Sequence, residues 1–227
     1  MTLKRREFSQ AALALVTGFG TSAKAQAQKP VAGTDYAVLE TPASVEAPAG
    51  KIEVVEFFWY SCPHCNAFEP TLGEWVKKLP KDVAFRRVPI AFNASFAPQQ
   101  RLYYTLEAMG LLEKLHAKVF AAIHVDKLKL ATGEAIVEWA GKNGVDAAKF
   151  QAEYNSFGVV TKTQRASQLQ NAYKVEGVPA LGVAGRYYTD GSLAKSMERA
   201  LQVVDSLVAD LRSAAVKSAP AKADKKA

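Results

Sequence analysis

The sequence contains only two cysteines, which stand three positions apart in the run Cys62-Pro63-His64-Cys65. A structural disulfide stabilises a protein mainly by closing a long loop in the unfolded chain. A bond between Cys62 and Cys65 would close almost no loop, so reactivity explains the pair better than stability does. Two thiols at this spacing can alternate between a dithiol and a disulfide, which is the chemistry of thiol–disulfide exchange.

The residues around the pair predict how it is positioned. Lys51 to Tyr60 is rich in β-branched and aromatic residues without simple alternation, which is typical of a buried strand. From Pro63 to Leu79, apolar residues recur at three- and four-residue steps and predict a helix. Cys62 is therefore expected at a helix N-terminus, where free N–H groups and the helix dipole favour a thiolate. Cys65 lies one turn further in and is expected to be the less exposed, resolving thiol.

The two residues between the cysteines favour an oxidising pair. Pro63 suits the first turn of a helix because that position needs no N–H group. His64 can stabilise the Cys62 thiolate by a hydrogen bond or by partial positive charge. Because a stabilised thiolate stabilises the reduced protein, it makes the disulfide form a stronger oxidant.

Glu56 is a carboxylate inside the strand predicted to be buried. Burial of an ionised carboxylate is costly, so its pKa is expected to be raised, and it could exchange a proton with Cys65 through water. Two alternatives remain open from the residues alone. Glu56 could face solvent at a strand edge, or it could pair structurally with Arg86 or Arg87.

The rest of the chain predicts an α/β protein that carries a helical insertion. Asp82 to Pro89 is a second predicted strand, which completes a strand–helix–strand unit with parallel pairing. Amphipathic stretches dominate between Phe92 and Tyr173. The helices predicted there are Pro98 to Met109, Leu111 to His124, Gly133 to Lys142, Asp146 to Tyr154 and Thr161 to Tyr173. Later elements are strands at Val178 to Val183 and Arg186 to Tyr188, and a helix from Ser192 to about Leu211.

The two ends of the chain differ from its body. Residues 1–25 combine a basic start, a short apolar stretch and small residues, which predicts an export signal cleaved after Ala25 or Ala27. Arg5-Arg6 resembles a twin-arginine signal, and the general secretory route remains open. The Ala/Lys-rich segment 214–227 is expected to be a disordered tail. These ends carry most of the net charge of +7, so the nearly neutral body gives no support to nucleic-acid binding.

Four runs of residues resemble the DsbA family of periplasmic thiol:disulfide interchange proteins. They are Glu56-Phe57-Phe58, Cys62-Pro63-His64-Cys65, Phe68-Glu69 and Gly177-Val178-Pro179-Ala180. The resemblance extends from about Tyr36 to Leu211 and implies a thioredoxin fold, a central mixed sheet flanked by helices, with a large helical insertion. Residues 26–91 and 174–213 would form the thioredoxin-like domain, and residues 92–173 the insertion.

The same resemblance implies roles for further residues and partners. Val178–Pro179 would be a cis peptide that faces the dithiol and helps to dock substrate polypeptides. Glu56 would be the buried acid beside Cys65, with Arg86 or Arg87 as its basic partner. Substrates would be reduced or unfolded exported polypeptides, and a DsbB-like quinone-linked membrane protein would reoxidise the enzyme. We expect a monomer in the periplasm that needs no cofactor and no metal.

Three other functions fit parts of the sequence. A metal site could combine Cys62 and Cys65 with His64, His116 and His124, although zinc-binding cysteine pairs lie in turns and the sequence has no second pair. His116 and His124 fall in the predicted insertion and are expected to be ordinary packing or surface residues. A disulfide isomerase or reductase would keep the same fold, and a chaperone would use the proline groove without redox turnover.

Overall fold

The computed structural model describes residues 29–218. The predicted export signal and the end of the predicted tail, beyond residue 218, lie outside the described residues. Within them, one mixed sheet has the strand order β1-β5-β4-β2-β3. Its strands are β1 Ala37–Val38, β2 Ile52–Phe58, β3 Val83–Pro89, β4 Ala180–Val183 and β5 Tyr187–Asp190. β2 pairs in parallel with β3 and antiparallel with β4, so the predicted strand–helix–strand unit is confirmed.

Helices cover this sheet and form the insertion. The helices of the described part are α1 Pro63–Val76, α2 Ala97–Ala108, α3 Leu112–His124, α4 Gly133–Lys142, α5 Ala147–Tyr154, α6 Phe157–Ala172 and α7 Met197–Ser218. Helices α2 to α6 lie between β3 and β4 in the chain, where the sequence predicts them. α6 begins earlier than the predicted Thr161, because Ser156 caps its first turn by accepting from the Val159 N–H at 3.1 Å.

Hydrophobic packing holds helices against both faces of the sheet. On one face, Phe68 of α1 and Val204 of α7 belong to one buried cluster with Val54 of β2. On the other face, the rings of Phe57 and Tyr173 lie 5.1 Å apart in a cluster that continues through the insertion. The sheet therefore has no open face at β2, the strand that leads into the cysteine pair.

The last helix differs from its prediction at both ends. α7 begins at Met197 rather than Ser192, because Asp190 Oδ1 accepts from the Ser192 and Leu193 N–H groups, each at 2.9 Å, and forms a turn instead. The helix continues past the predicted end at Leu211 to Ser218, into the segment predicted to be disordered. Alanine and lysine in that segment are good helix formers, which favours continuation.

The end of α7 is also tied to the body of the protein. Arg212 Nη2 donates to Asp82 Oδ1 at 2.7 Å, and Arg212 Nε makes a second contact with the same carboxylate. A bidentate arginine–carboxylate pair fixes geometry as well as charge. The pair joins α7 to the turn before β3.

Gly182 of β4 provides a test of the packing around Tyr173. A Cβ atom at Gly182 would collide with the ring of Tyr173. That ring is held in place because the Tyr173 hydroxyl accepts a hydrogen bond from the Gly185 N–H at 3.0 Å. We expect Gly182→Ala to lower the free energy of unfolding by about 1–3 kcal/mol through overpacking. In the control Gly73→Ala, the new Cβ meets nothing within 4 Å, and we expect stabilisation of up to about 1 kcal/mol. Urea unfolding measures both, and equal stability of Gly182→Ala and the wild type would contradict the predicted collision.

Candidate active site

Cys62 and Cys65 lie at the start of α1. Cys62 is the N-cap residue, and its Sγ accepts from the backbone N–H of Cys65 at 3.3 Å. The N–H of Cys62 donates to the Trp59 carbonyl at 3.0 Å, so a tight turn links the end of β2 to the helix. Cys62 is 7% exposed and Cys65 is 0% exposed, in the predicted order.

The two thiols differ strongly in acidity. The pKa of Cys62 falls from an ordinary 9.0 to about 6, mainly because the Cys65 thiol donates a hydrogen bond to it. The N–H groups of Cys65 and His64 and the positive charge of His64 act in the same direction, and burial opposes them. Burial raises the pKa of Cys65 far above its ordinary value, and the Cys62 thiolate adds to this effect. The pair is therefore a thiolate beside a buried thiol at neutral pH.

A proline loop faces the pair. The Val178–Pro179 peptide bond is cis, as the resemblance implied. The Cys62 thiol lies 3.3 Å from the Val178 carbonyl oxygen, to which it can donate. A cleft of about 390 Å³ beside this loop is lined by His64 and Pro179, together with Asp190, Ser192 and Met197.

Glu56 lies inside the protein. Its side chain is 0% exposed, and its Oε2 accepts from Arg87 Nε at 2.9 Å. The alternative that Glu56 faces solvent is therefore wrong, and of the two arginines left open by the sequence, Arg87 is its partner. Arg86 instead donates from Nε to Glu53 at 3.1 Å. Burial raises the pKa of Glu56 from 4.5 to about 8 despite the opposing charge of Arg87.

Three further side chains extend this cluster. Arg87 Nη2 donates to both oxygens of Glu69, at 3.1 and 3.2 Å. His116 of α3 places Nε2 3.4 Å from Glu69 Oε1, and its Nδ1 lies 2.8 Å from the Tyr60 hydroxyl. His116 is buried and packs against aromatic rings such as Phe58, as expected of a packing residue, and its two ring nitrogens also contact Glu69 and Tyr60. Glu69 could have been found from its position one helical turn after Cys65, whereas the contacts of His116 depend on how the insertion folds back.

The second histidine of the insertion also contacts Tyr60. His124 Nε2 lies 2.8 Å from the Tyr60 carbonyl oxygen, at the other end of the same residue. His116 and His124 therefore both contact Tyr60, which lies in the turn between Trp59 and Cys62, and the metal-ligand set considered from the sequence is not assembled. Over residues 29–218, no group of three or more histidine, cysteine, aspartate or glutamate side chains could hold a metal ion.

Comparison with known proteins places this site in a family. The model of the DSBA-like thioredoxin domain matches residues 76–205. The chain is 46% identical over 208 residues to the thiol:disulfide interchange protein DsbA of Bordetella parapertussis, across 91% of this chain and 96% of that protein. It is 44% identical over 207 residues to the DsbA of Pseudomonas aeruginosa, across 91% and 97%. The chain belongs to the DsbA family.

Solved structures agree with this assignment. The crystal structure of Pseudomonas aeruginosa DsbA has a TM-score of 0.78 and 43% identity, covering 82% of this chain and 97% of that one. Xylella fastidiosa DsbA has a TM-score of 0.75 and 33% identity, covering 81% and 98%. The predicted thioredoxin-like fold with a helical insertion is confirmed, and the protein is a thiol:disulfide oxidoreductase. Across the described residues, no helix is long and apolar enough to span a membrane.

The acidity of Cys62 predicts a pH dependence of its reactivity. Its pKa is about 6 in the folded protein against an ordinary 9.0. Ionisation therefore stabilises the reduced folded protein fully above pH 9, and this contribution is lost as the pH falls towards 6. We expect alkylation of Cys62 by iodoacetamide to be half-maximal near pH 6. Cys65→Ala should move this midpoint upwards because it removes the largest cause of the lowered pKa.

Cys65→Ser is the matched control for that titration. Its hydroxyl can still donate to Cys62, so the midpoint should lie between those of Cys65→Ala and the wild type. An unchanged midpoint in Cys65→Ala would show that the backbone N–H groups and His64, rather than the Cys65 thiol, set the acidity of Cys62.

Proposed function

We propose that the protein donates its Cys62–Cys65 disulfide to reduced polypeptides, with Cys62 as the sulfur that forms the mixed disulfide. The observation that carries this proposal is the opposite shift in the pKa values of the two thiols at the start of α1, where Cys62 is acidic and 7% exposed and Cys65 is 0% exposed. The lower-pKa sulfur is the better leaving group in thiol–disulfide exchange. The buried sulfur is the one that a client cannot reach.

The exchange proceeds in two steps. A client thiolate attacks Cys62 Sγ, the Cys62–Cys65 bond breaks, and its electron pair remains on Cys65, which takes up a proton. A second client thiolate then attacks the client sulfur of the mixed disulfide, and Cys62 leaves as a thiolate. The client loses two electrons and gains a disulfide, and the enzyme becomes a dithiol with Cys62 ionised.

Glu56 supplies the proton for the first step. A thiolate left on buried Cys65 would be strongly disfavoured, as the raised pKa of that thiol indicates. Because the pKa of Glu56 is about 8, this side chain still holds a proton at neutral pH. Glu56 and Cys65 interact electrostatically, so their protonation states are coupled.

The acidity of Cys62 gives the reaction its direction. At pH 7, a thiol of pKa about 6 is mostly ionised, which stabilises the reduced protein by about 1 kcal/mol relative to an ordinary thiol. For a two-electron couple, this corresponds to an increase of about 20 mV in reduction potential. The charge on His64 contributes to this stabilisation.

The remaining roles follow from the same chemistry. Clients are reduced or unfolded exported polypeptides, which the Val178–Pro179 loop would hold against Cys62. A DsbB-like quinone-linked membrane protein would take the electrons and restore the disulfide. The predicted export signal supports a periplasmic location, where such oxidation is maintained.

Trapping experiments test the roles of the two sulfurs. Cys65→Ala should accumulate mixed disulfides when it is mixed with client proteins that carry disulfides, because the Cys62 thiolate attacks a client disulfide, releases one client thiolate, and meets no second enzyme thiol that could resolve the adduct. Cys62→Ala should accumulate none, since Cys65 is buried. Non-reducing electrophoresis after acid quenching counts the adducts, and equal trapping by the two variants would overturn the assignment.

The reduction potential of the pair tests the direction of transfer. Equilibration with glutathione should give a potential above that of the glutathione couple, because the reduced form is stabilised. His64→Ala should lower the potential, while His124→Gln, whose amide can still donate to the Tyr60 carbonyl oxygen, is the control. A wild-type potential as low as that of thioredoxin would refute the oxidant role and favour the reductase alternative.

A further inference from the structure

The charge cluster beneath the cysteines continues into the insertion. Glu56 and Glu69 share one guanidinium, since Arg87 donates from Nε to the first and from Nη2 to the second. His116 lies next to Glu69, with 3.4 Å between Nε2 and Oε1. Two carboxyl groups therefore face one fixed positive charge and one imidazole.

Both ends of this cluster carry an unpartnered atom. Among the described residues, three buried side-chain nitrogen or oxygen atoms lack a hydrogen-bond partner, and they include Glu56 Oε1 and His116 Nε2. Unpartnered buried polar atoms are rare, and they often mark groups that change their protonation. Glu56 Oε1 is the atom on which Glu56 would hold its proton, and His116 Nε2 is the ring nitrogen that faces Glu69.

Tyr60 fixes the orientation of the imidazole. Burial raises the pKa of the Tyr60 phenol, so its hydroxyl stays protonated and can donate to Nδ1 of His116 at 2.8 Å. Neutral His116 then carries its own proton on Nε2, directed at Glu69. Protonation of His116 would reverse the direction of the hydrogen bond with Tyr60, because Nδ1–H would then donate to the phenol oxygen. Both ring nitrogens would still face an acceptor, the Tyr60 oxygen at Nδ1 and Glu69 at Nε2.

The surroundings of His116 contain few other groups that can change charge. Glu69 faces His116 from α1 and Arg87 faces it from β3. Tyr60 lies just before α1, and the ring of Tyr103 on α2 is 6.0 Å from the imidazole ring of His116. Both tyrosines have raised pKa values and stay neutral. Phe58 and Phe120 complete the enclosure with apolar rings.

The cluster can be neutral in two ways. With Glu56 protonated and His116 neutral, Arg87 balances Glu69. With Glu56 ionised, the cluster gains a negative charge that Arg87 alone cannot balance, and a protonated His116 restores neutrality. Burial, together with the charge of Arg87, lowers the pKa of His116, so the imidazole is neutral while Glu56 holds its proton. A net charge in such a buried site is costly, so the ionisation of Glu56 favours the protonation of His116.

We propose that His116 is a positioning residue that compensates the charge left on Glu56 after Glu56 has given its proton to Cys65. The proposal rests on the proposed function, because it assigns that proton to Glu56. When the client attacks, the proton moves from Glu56 to the leaving sulfur of Cys65, and His116 takes up a proton from solvent. Reoxidation reverses both transfers. The His116 side chain is 11% exposed and that of Glu56 is 0% exposed, so of these two groups the imidazole is the one that reaches water.

The test is a double-mutant cycle on the exchange rate. The purified oxidised protein reacts with a dithiol peptide, and the rate constant is corrected for the thiolate fraction of the peptide. His116→Phe keeps an aromatic ring in the aromatic enclosure but cannot gain charge, and it should slow the first exchange step about tenfold. In the Glu56→Gln background, the same substitution should have no further effect, since Gln has no proton to give and no charge to compensate.

The pH profile supplies a readout that packing alone would not move. The rate should fall at alkaline pH as Glu56 loses its proton, with a midpoint above the ordinary range of a carboxyl group because burial raises the pKa of Glu56. In His116→Phe, this midpoint should shift to higher pH because an ionised Glu56 has lost its compensating partner. His116→Gln, which is polar but equally unable to become charged, should behave in the same way and replaces the Phe variant if that protein does not fold.

His124→Gln is the matched control. It alters a histidine of the same helix that also contacts Tyr60, but no contact joins His124 to Glu69. Because the Gln amide can still donate to the Tyr60 carbonyl oxygen, its rate and pH midpoint should stay close to those of the wild type. A packing role for His116 would show itself in two ways. His116→Phe would slow the exchange equally in the wild type and in the Glu56→Gln variant, and the midpoint of the pH profile would not shift. This result would overturn the proposal.

The outcomes also separate this proposal from the proposed function. A slow Glu56→Gln variant together with a His116→Phe variant as fast as the wild type would overturn the role of His116 alone. A Glu56→Gln variant as fast as the wild type would overturn the proton transfer from Glu56, and the role of His116 with it. A wild-type protein that does not oxidise the peptide would refute the donor function itself.

Discussion

The hydrogen bonds that converge on the Cys62 sulfur are the interaction on which this structure depends. A thiol at the first position of a helix receives N–H groups that the helix itself cannot use. In this protein the Cys65 thiol adds the largest contribution, so the resolving cysteine also sets the acidity of the attacked one. That arrangement requires the helix to begin at Cys62, and therefore requires β2 to end close by and the chain to turn tightly at Trp59.

The insertion contributes directly to this turn. Gln99 of α2 accepts from the Ser61 N–H at 3.1 Å and donates to the Ser61 hydroxyl, which fixes the residue before Cys62. His116 and His124 of α3 hold Tyr60 from two sides. The helices inserted between β3 and β4 thus support the motif from outside the sheet. Their side chains contact the turn that leads into the cysteine pair.

The buried ionisable groups beneath the motif are tolerated only because they lie next to one another. Glu56, Glu69 and Arg87 would each be costly in this position without the others, because ions lose their hydration when they are buried. The unpartnered oxygen of Glu56 shows that the set is not fully satisfied. Such incomplete satisfaction opposes stability and favours reactivity, since a carboxyl group with a raised pKa can give up and regain a proton near neutral pH.

The sequence alone determined the redox pair, the order of exposure of its sulfurs, the strand and helix that position it, and the helical insertion. These features depend on neighbours in the chain, through spacing, periodicity and the free N–H groups of a helix start. Only the tertiary structure decided that Arg87 rather than Arg86 meets Glu56, because adjacent residues of a strand point to opposite faces and the sequence does not say which face is which. It also decided the position of His116, which lies 56 residues from Tyr60 in the chain and reaches it only because the insertion folds back over the motif. The extension of α7 past Leu211 likewise includes a pair between residues distant in the chain, Arg212 and Asp82, which no local pattern could indicate.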